Sequence, residues 1–278
     1  MEQYVGLDAS LKLTAICIVD QDVRVAALTY RSLDLWFLGF PEASLADANT
    51  AIREAREIGQ VSTLLFALFP ASITHLLCGN YAAANAEANE LIVLGDEKGA
   101  AFWKGGGIAH QGSVMIPTGK AASAVHTITS GISAWRSTGA AVFVPWWLTC
   151  LTRAYAELGN FDDAWRCIGE AITAIETSKE TWFEAEVHRM AGEIALMPPE
   201  PNAAKAEAYF ERALAVARKQ QAKSWELRAA MSMARLWRSQ GKAQQARELL
   251  APVYGWFTEG FDTLDLKEAK ALLDELGA

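Results

Sequence analysis

The chain has 278 residues and is short of the features that usually announce a chemistry. Cysteine is scarce. Cys17, Cys78, Cys150 and Cys167 include no C-x-x-C pair, and none stands near a histidine at ligand spacing. That excludes a zinc knuckle and predicts buried free thiols in a reducing cytoplasm. His75, His110, His126 and His188 are scattered, with no H-x-x-x-H pair, and read as helix side chains rather than ligands. No segment is strongly basic. Residues 1–100 carry 6 basic and 13 acidic side chains, residues 101–200 carry 7 and 10, and residues 201–278 carry 12 and 10, for a net charge of −8. Counterion release on nucleic acid needs the opposite balance, so no nucleic acid is expected as a partner. No basic-then-apolar order marks a signal peptide at the start. Between Glu57 and Glu87 there is no Asp, Glu, Lys or Arg, which is the profile of a membrane span. Yet the stretch holds Pro70, His75, Gly79 and Asn80 and divides into helix, turn and helix, so it predicts a buried core helix and no membrane.

Catalytic motifs are missing too. A phosphate-cradling loop needs G-x-x-x-x-G-K-[ST], so that backbone amides wrap the phosphates and a hydroxyl reaches magnesium. The nearest run is VMIPTGKA at 114–121, where Val114 replaces the first glycine and Ala121 the hydroxyl. The triplet Gly105-Gly106-Gly107 follows no strand and falls inside a predicted helix, which it is expected to loosen or kink. No Ser–His–Asp or Cys–His pattern stands out. The sequence therefore points to no enzyme, no cofactor and no metal.

What the chain does have is a forty-residue beat. Gly39, Gly79, Gly119 and Gly159 are spaced by forty, Gly241 follows two slightly longer units on, and near residue 199 the run MPPEPN takes the missing place. A second series, Gly59, Gly99 and Gly139, is offset by twenty. Stacked antiparallel helix pairs need such stops, because glycine takes the left-handed conformation that ends a helix at little cost. Between stops the apolar residues recur at helical spacing, as in Ala164, Ile168, Ala171, Ile172 and Ile175. Five positions after the first-series glycines stand Ser44, Ala84, Ala124, Ala164 and Ala246, small enough for two helices to approach closely. The pattern predicts an all-α, right-handed solenoid of about six tetratricopeptide-like hairpins over 23–258 with a capping helix at 264–276. The domain division is 1–22, a short N-terminal β-hairpin, and 23–278, the repeat domain.

An aromatic column stands sixteen residues before the first-series breaks: Trp103, Phe143, Phe183 and Trp225. It reads first as an inter-repeat core ladder and second as an aromatic groove for a partner. With Pro145-Trp146-Trp147, these residues are the candidate partner surface, on a concave side lined by the first helix of each pair.

The run from AKAEAYFERALAVARKQ to LDLKEAKALLDEL (residues 204–276) resembles the C-terminal tetratricopeptide region of large bacterial proteins that carry a class III adenylate/guanylate cyclase or DNA-binding domain and an AAA-type ATPase. The likeness extends back through YRSLDLWFLGFPEASLADANTAIREAREIG to about residue 23. It implies a non-catalytic array for protein–protein contact or regulation.

The opening differs. MEQYVGLDASLKLTAICIVDQD resembles the start of DEDD-type insertion-sequence transposases, whose ribonuclease-H-like domain begins with a strand ending in G-[LI]-D-[VA]-S. The resemblance makes Asp8 the first of several carboxylates that hold divalent metal ions for phosphodiester cleavage. The helical sequence after residue 25 supplies no sheet for the other three, so Asp8 is a vestigial candidate at most. Residues 1–22 are expected to pack weakly. The leading expectation is a cytoplasmic interaction scaffold with an unidentified protein partner. Its rivals are a small-molecule sensor groove, a transposase remnant fused to the array as a chimera, and a non-functional relic.

Overall fold

A computed structural model describes residues 21–197 and 199–277. Both strands of the predicted hairpin and Asp8 lie outside the described residues, and Gln21 and Asp22 open the first helix. Among the described residues the chain is all-α. Six helix pairs follow one another: α1 (Gln21–Leu38) with α2 (Pro41–Ile58), α3 (Val61–Leu77) with α4 (Tyr81–Glu97), α5 (Ala101–Met115) with α6 (Ala121–Ser137), α7 (Val144–Glu157) with α8 (Phe161–Ser178), α9 (Glu184–Ala195) with α10 (Ala203–Gln220), and α11 (Lys223–Ser239) with α12 (Ala243–Tyr254). A last helix, α13 (Leu264–Gly277), packs on α11 and α12.

The turns show why the beat is regular. All eight glycines of the two series have positive φ, between 63° and 88°. At Gly159 the left-handed residue turns the chain so that the N–H of Asn160 donates to the Tyr155 carbonyl at 2.9 Å, the long bond of a Schellman cap. The same bond recurs from Phe40 to Leu35, Asn80 to His75, Lys120 to Met115 and Lys242 to Trp237. Two stops without glycine, Lys179 and Gln221, adopt the same conformation at φ 61° and 56°. Each pair closes on its small residue: Ser44, Ala84, Ala124, Ala164 and Ala246 are all without exposed surface.

The glycine triplet does not interrupt its helix. α5 runs unbroken from 101 to 115, and its glycines let three helices press against it. A Cβ on Gly105 would lie 2.9 Å from the backbone nitrogen of Trp135 in α6, and one on Gly107 would lie 2.9 Å from Leu91 Cβ in α4. Among the described residues no helix is long and apolar enough to cross a membrane; the uncharged stretch between Glu57 and Glu87 becomes α3, with its turn and the start of α4.

The array also closes on itself, which no repeat count predicts. α1 packs on α11 across the ends of the series. Ser224 Oγ donates to the Trp36 carbonyl, and the backbone N–H of Ala43 donates to Glu259 Oε1 at 2.9 Å. Trp36 meets Trp225 edge-on at 4.6 Å, and Phe40 meets Trp256 at 5.4 Å. The first and last hairpins therefore cover each other's apolar ends.

Candidate functional site

The inner helices surround a cavity of about 440 Å³, lined from α3, α5, α7, α9, α11 and α13, with Tyr81 at the start of α4. Helical spacing puts the lining there. In α7 the residues are Trp146, Thr149, Cys150, Arg153 and Glu157, in α9 Glu186, Arg189, Met190 and Glu193, and in α11 Arg228, Met231 and Arg235. Steps of three and four keep each set on one stripe. The start of α7 is held by Glu180, whose carboxylate accepts the Phe143 N–H at 2.9 and 3.1 Å and the Trp182 indole N–H at 2.6 Å. Phe143 is thereby kept at φ 68°.

A continuous ion-pair network covers the wall formed by α9, α11 and α13. Arg189 makes a bidentate pair with Glu186 (2.7 and 2.7 Å), reaches Glu193 at 3.0 Å and donates to Ser232 Oγ at 3.2 Å. Ser232 in turn donates to Glu193 at 2.5 Å. Arg228 spans the seam between the two ends of the chain. Its Nε donates to Asp265 at 2.8 Å, its Nη2 to the Leu77 carbonyl at 3.0 Å, and its guanidinium lies over Trp36 and Trp225 at 5.0 and 5.2 Å. Nearer the mouth, Arg235 pairs with Glu268 at 2.8 Å and Arg153 with Glu157 at 3.0 Å. Burial pushes the Glu186 carboxyl up, but the charges of Arg189, Arg228 and Arg153 outweigh it and hold the group below the usual carboxylate range. Asp265 goes the other way, raised by burial against the pull of Arg228.

The nucleophilic groups nearby are quiet. Burial lifts the Cys150 thiol to about 11, so at neutral pH it lines the cavity as a small protonated group. Ser72 and His110 lie 2.6 Å apart, both buried. The Ser72 hydroxyl already donates to the Phe69 carbonyl at 2.8 Å, which leaves the ring N–H as the donor and the serine unactivated. Among the described residues no group of three or more His, Cys, Asp or Glu is placed to hold a metal ion.

The predicted aromatic surface is corrected by burial. Trp147 and Trp225 are 0% and 1% exposed and fill the core. Trp146 and Phe183 line the cavity, but only as part of its tightly packed floor. Trp103 and Phe143 are half-buried and do not line it. The column is instead a chain of ring contacts: Trp103 to Phe69 (5.8 Å), Phe69 to Phe143 (4.9 Å), Phe143 to Trp182 (5.6 Å), Trp182 to Phe183 (5.1 Å), Phe183 to Trp225 (4.9 Å), and so to Trp36. Neighbouring repeats occupy most of these ring faces, and of the six predicted residues only Trp103 and Phe143 keep partial exposure outside the cavity. Sequence reasoning missed the charged lining. Its signal was there: Glu186 and Glu193 stand seven apart with Arg189 between them, and Arg228 and Arg235 stand seven apart around Met231.

No protein-family model and no curated protein sequence matches the chain. Solved structures do resemble it. The apo form of RapI superposes with a TM-score of 0.62 at 13% identity, over 93% of this chain and 87% of that one. Aspartyl phosphate phosphatase F from Bacillus subtilis gives 0.60 at 12%, over 90% and 62%. The apo form of the quorum sensor NprR from B. thuringiensis gives 0.59 at 14%, over 93% and 72%. At such identities the likeness is one of fold, an all-helical array of the tetratricopeptide kind.

Proposed function

We propose that the chain is a non-catalytic helical-repeat scaffold that binds a protein partner in a regulatory assembly. The observation that carries this reading is the concave wall. Most of its charged side chains are paired with one another instead of being poised around a nucleophile, and its mouth offers a ring of opposite charges at Arg153, Glu157, Arg235 and Glu268. Alternating charge at a rim sets register and excludes wrong partners more than it adds affinity. One similar structure is that of a quorum sensor, which is in keeping with a regulatory role. The resemblance of residues 23–278 to cyclase–ATPase arrays supports an origin as the regulatory part of such a signalling protein, and genomic neighbourhood tests that origin directly.

The test of function is capture with the tagged chain, identification of the bound protein, and titration of that protein against the purified chain. Binding at one-to-one stoichiometry, weakened at least tenfold by Arg235→Glu with the fold unchanged, supports the reading. Capture indistinguishable from a tag-only control sinks it.

A further inference from the structure

The cavity inside the ring has room for little more than one turn of helix. One turn of helix with its side chains is ~10 Å across and 5.4 Å long, about 420 Å³. The cavity holds about 440 Å³, about the volume of one such turn. That volume lies in the ordinary range for a small-molecule site. The floor is apolar and adaptable. Trp146, Phe183, Met190 and Met231 form it, and with Met197 three of the six methionines line this one space. The walls are charged and nearly balanced, with four guanidiniums (Arg153, Arg189, Arg228, Arg235) facing five carboxylates.

Within this network some polar capacity is unused. Arg228 Nη1 has Glu186 only at 3.9 Å, beyond hydrogen-bond reach, while its other nitrogens are engaged. The Tyr81 hydroxyl lines the same space and makes no hydrogen bond among the described residues; the charges that act on it are Arg153, Arg228, Asp265 and Glu268. A ligand with one net charge would leave part of this lining unbalanced. A molecule bearing both signs can exchange partners with existing pairs, its carboxylate taken by Arg228, Arg153 and Tyr81 and its cation by Glu157 or Glu268. We propose that the cavity is a binding site for a small zwitterion with an apolar body, seated over Trp146 and Met231. This deepens the scaffold reading, since it rests on the concave face being the binding face, and it makes the array responsive to a metabolite.

A matched probe set tests it on the full purified chain. Nε-dansyl-lysine carries both charges, dansylcadaverine only the cation, and 6-(dansylamino)hexanoate only the anion, on the same fluorescent body. The expected result is one-to-one binding of dansyl-lysine, read by energy transfer from tryptophan, at least tenfold tighter than either analogue. The double variant Tyr81→Phe/Arg153→Gln should bind dansyl-lysine no tighter than dansylcadaverine, whose own affinity should not fall. An unchanged melting temperature shows that the variant is folded. The proposal is overturned if either singly charged probe binds as tightly as the zwitterion, if the variant binds dansyl-lysine normally, or if no probe binds at millimolar concentration. No partner is present in this titration, so its failure leaves the scaffold reading standing, and failed partner capture leaves this one standing.

Discussion

His110 lies among Phe69, Trp146 and Trp147, with ring centroids 4.4, 5.2 and 5.7 Å away, and its Nε2 has no hydrogen-bond partner. Burial alone lowers its pKa to about 3. The native ring therefore stays neutral down to about pH 3, while the unfolded one takes up its proton near the ordinary histidine value. The unfolded state binds more protons throughout that window, so the stability His110 allows above pH 6.5 is lost as the pH falls toward 3. Urea denaturation of wild type and His110→Leu at pH 7 and pH 5 isolates the effect. Wild type should lose about 2 kcal/mol more than the variant over that interval. His188, lowered to about 4 mainly by burial, titrates in both proteins and cancels. A sequence shows that a histidine is present; it does not show that three aromatic rings from two other helices deny it water.

At the scale of the helix, two glycines in similar sequence settings have opposite meanings. Gly131 in α6 faces α5 so closely that a Cβ would sit 2.5 Å from the backbone nitrogen of Ala109. Gly169 in α8 has nothing within 4 Å of that position. Gly131→Ala should cost about 1–3 kcal/mol by forcing the helices apart. Gly169→Ala should gain about 0.5–1 kcal/mol, because alanine has less backbone entropy to lose in a helix interior. Guanidinium melts of the two variants distinguish the cases. The helix stops were legible in the sequence because a left-handed residue after a helix is a local demand that glycine meets. The role of Gly105, Gly106 and Gly107 was not legible. Close approach depends on which helix lies opposite, and nothing within α5 states that.

At the scale of the whole molecule the seam is the decisive feature. A stack of repeats in which each contacts only its neighbours unfolds from its ends. Here the ends are joined. Gly39 and Gly159 share the left-handed conformation, at φ 88° and 76°, but a Cβ on Gly39 would lie 2.6 Å from the Trp256 ring and 2.9 Å from Lys223 Cβ, whereas Gly159 is open. Gly159→Ala should cost about 1–2 kcal/mol from backbone strain. Gly39→Ala should cost a further ~1–3 kcal/mol because it pries the seam apart. Arg228→Met leaves the half-buried Asp265 without its cation and the Leu77 carbonyl without its donor, and should cost about 1–3 kcal/mol. Adding Asp265→Leu should recover much of that loss, since paired apolar groups replace a buried ion pair well. In Arg228→Met, amide exchange in α1 should quicken although residue 228 lies in α11. Unaltered protection of α1 would show that the seam contributes little to holding the ends.

The sequence by itself determined the local structure of this protein: where helices stop, which residues sit at each hairpin's closest point, and that bulky rings recur once per repeat. Each of these is a condition on neighbouring residues or on a fixed period, so it is written along the chain. Tertiary structure alone decided what the period builds. It turned the aromatic column inward, faced five carboxylates and four guanidiniums across one cavity, and brought Trp36 to Trp225 and Arg228 to Leu77. Those contacts join residues more than 150 positions apart, and their geometry accumulates from small rotations at every hairpin, which no single repeat specifies.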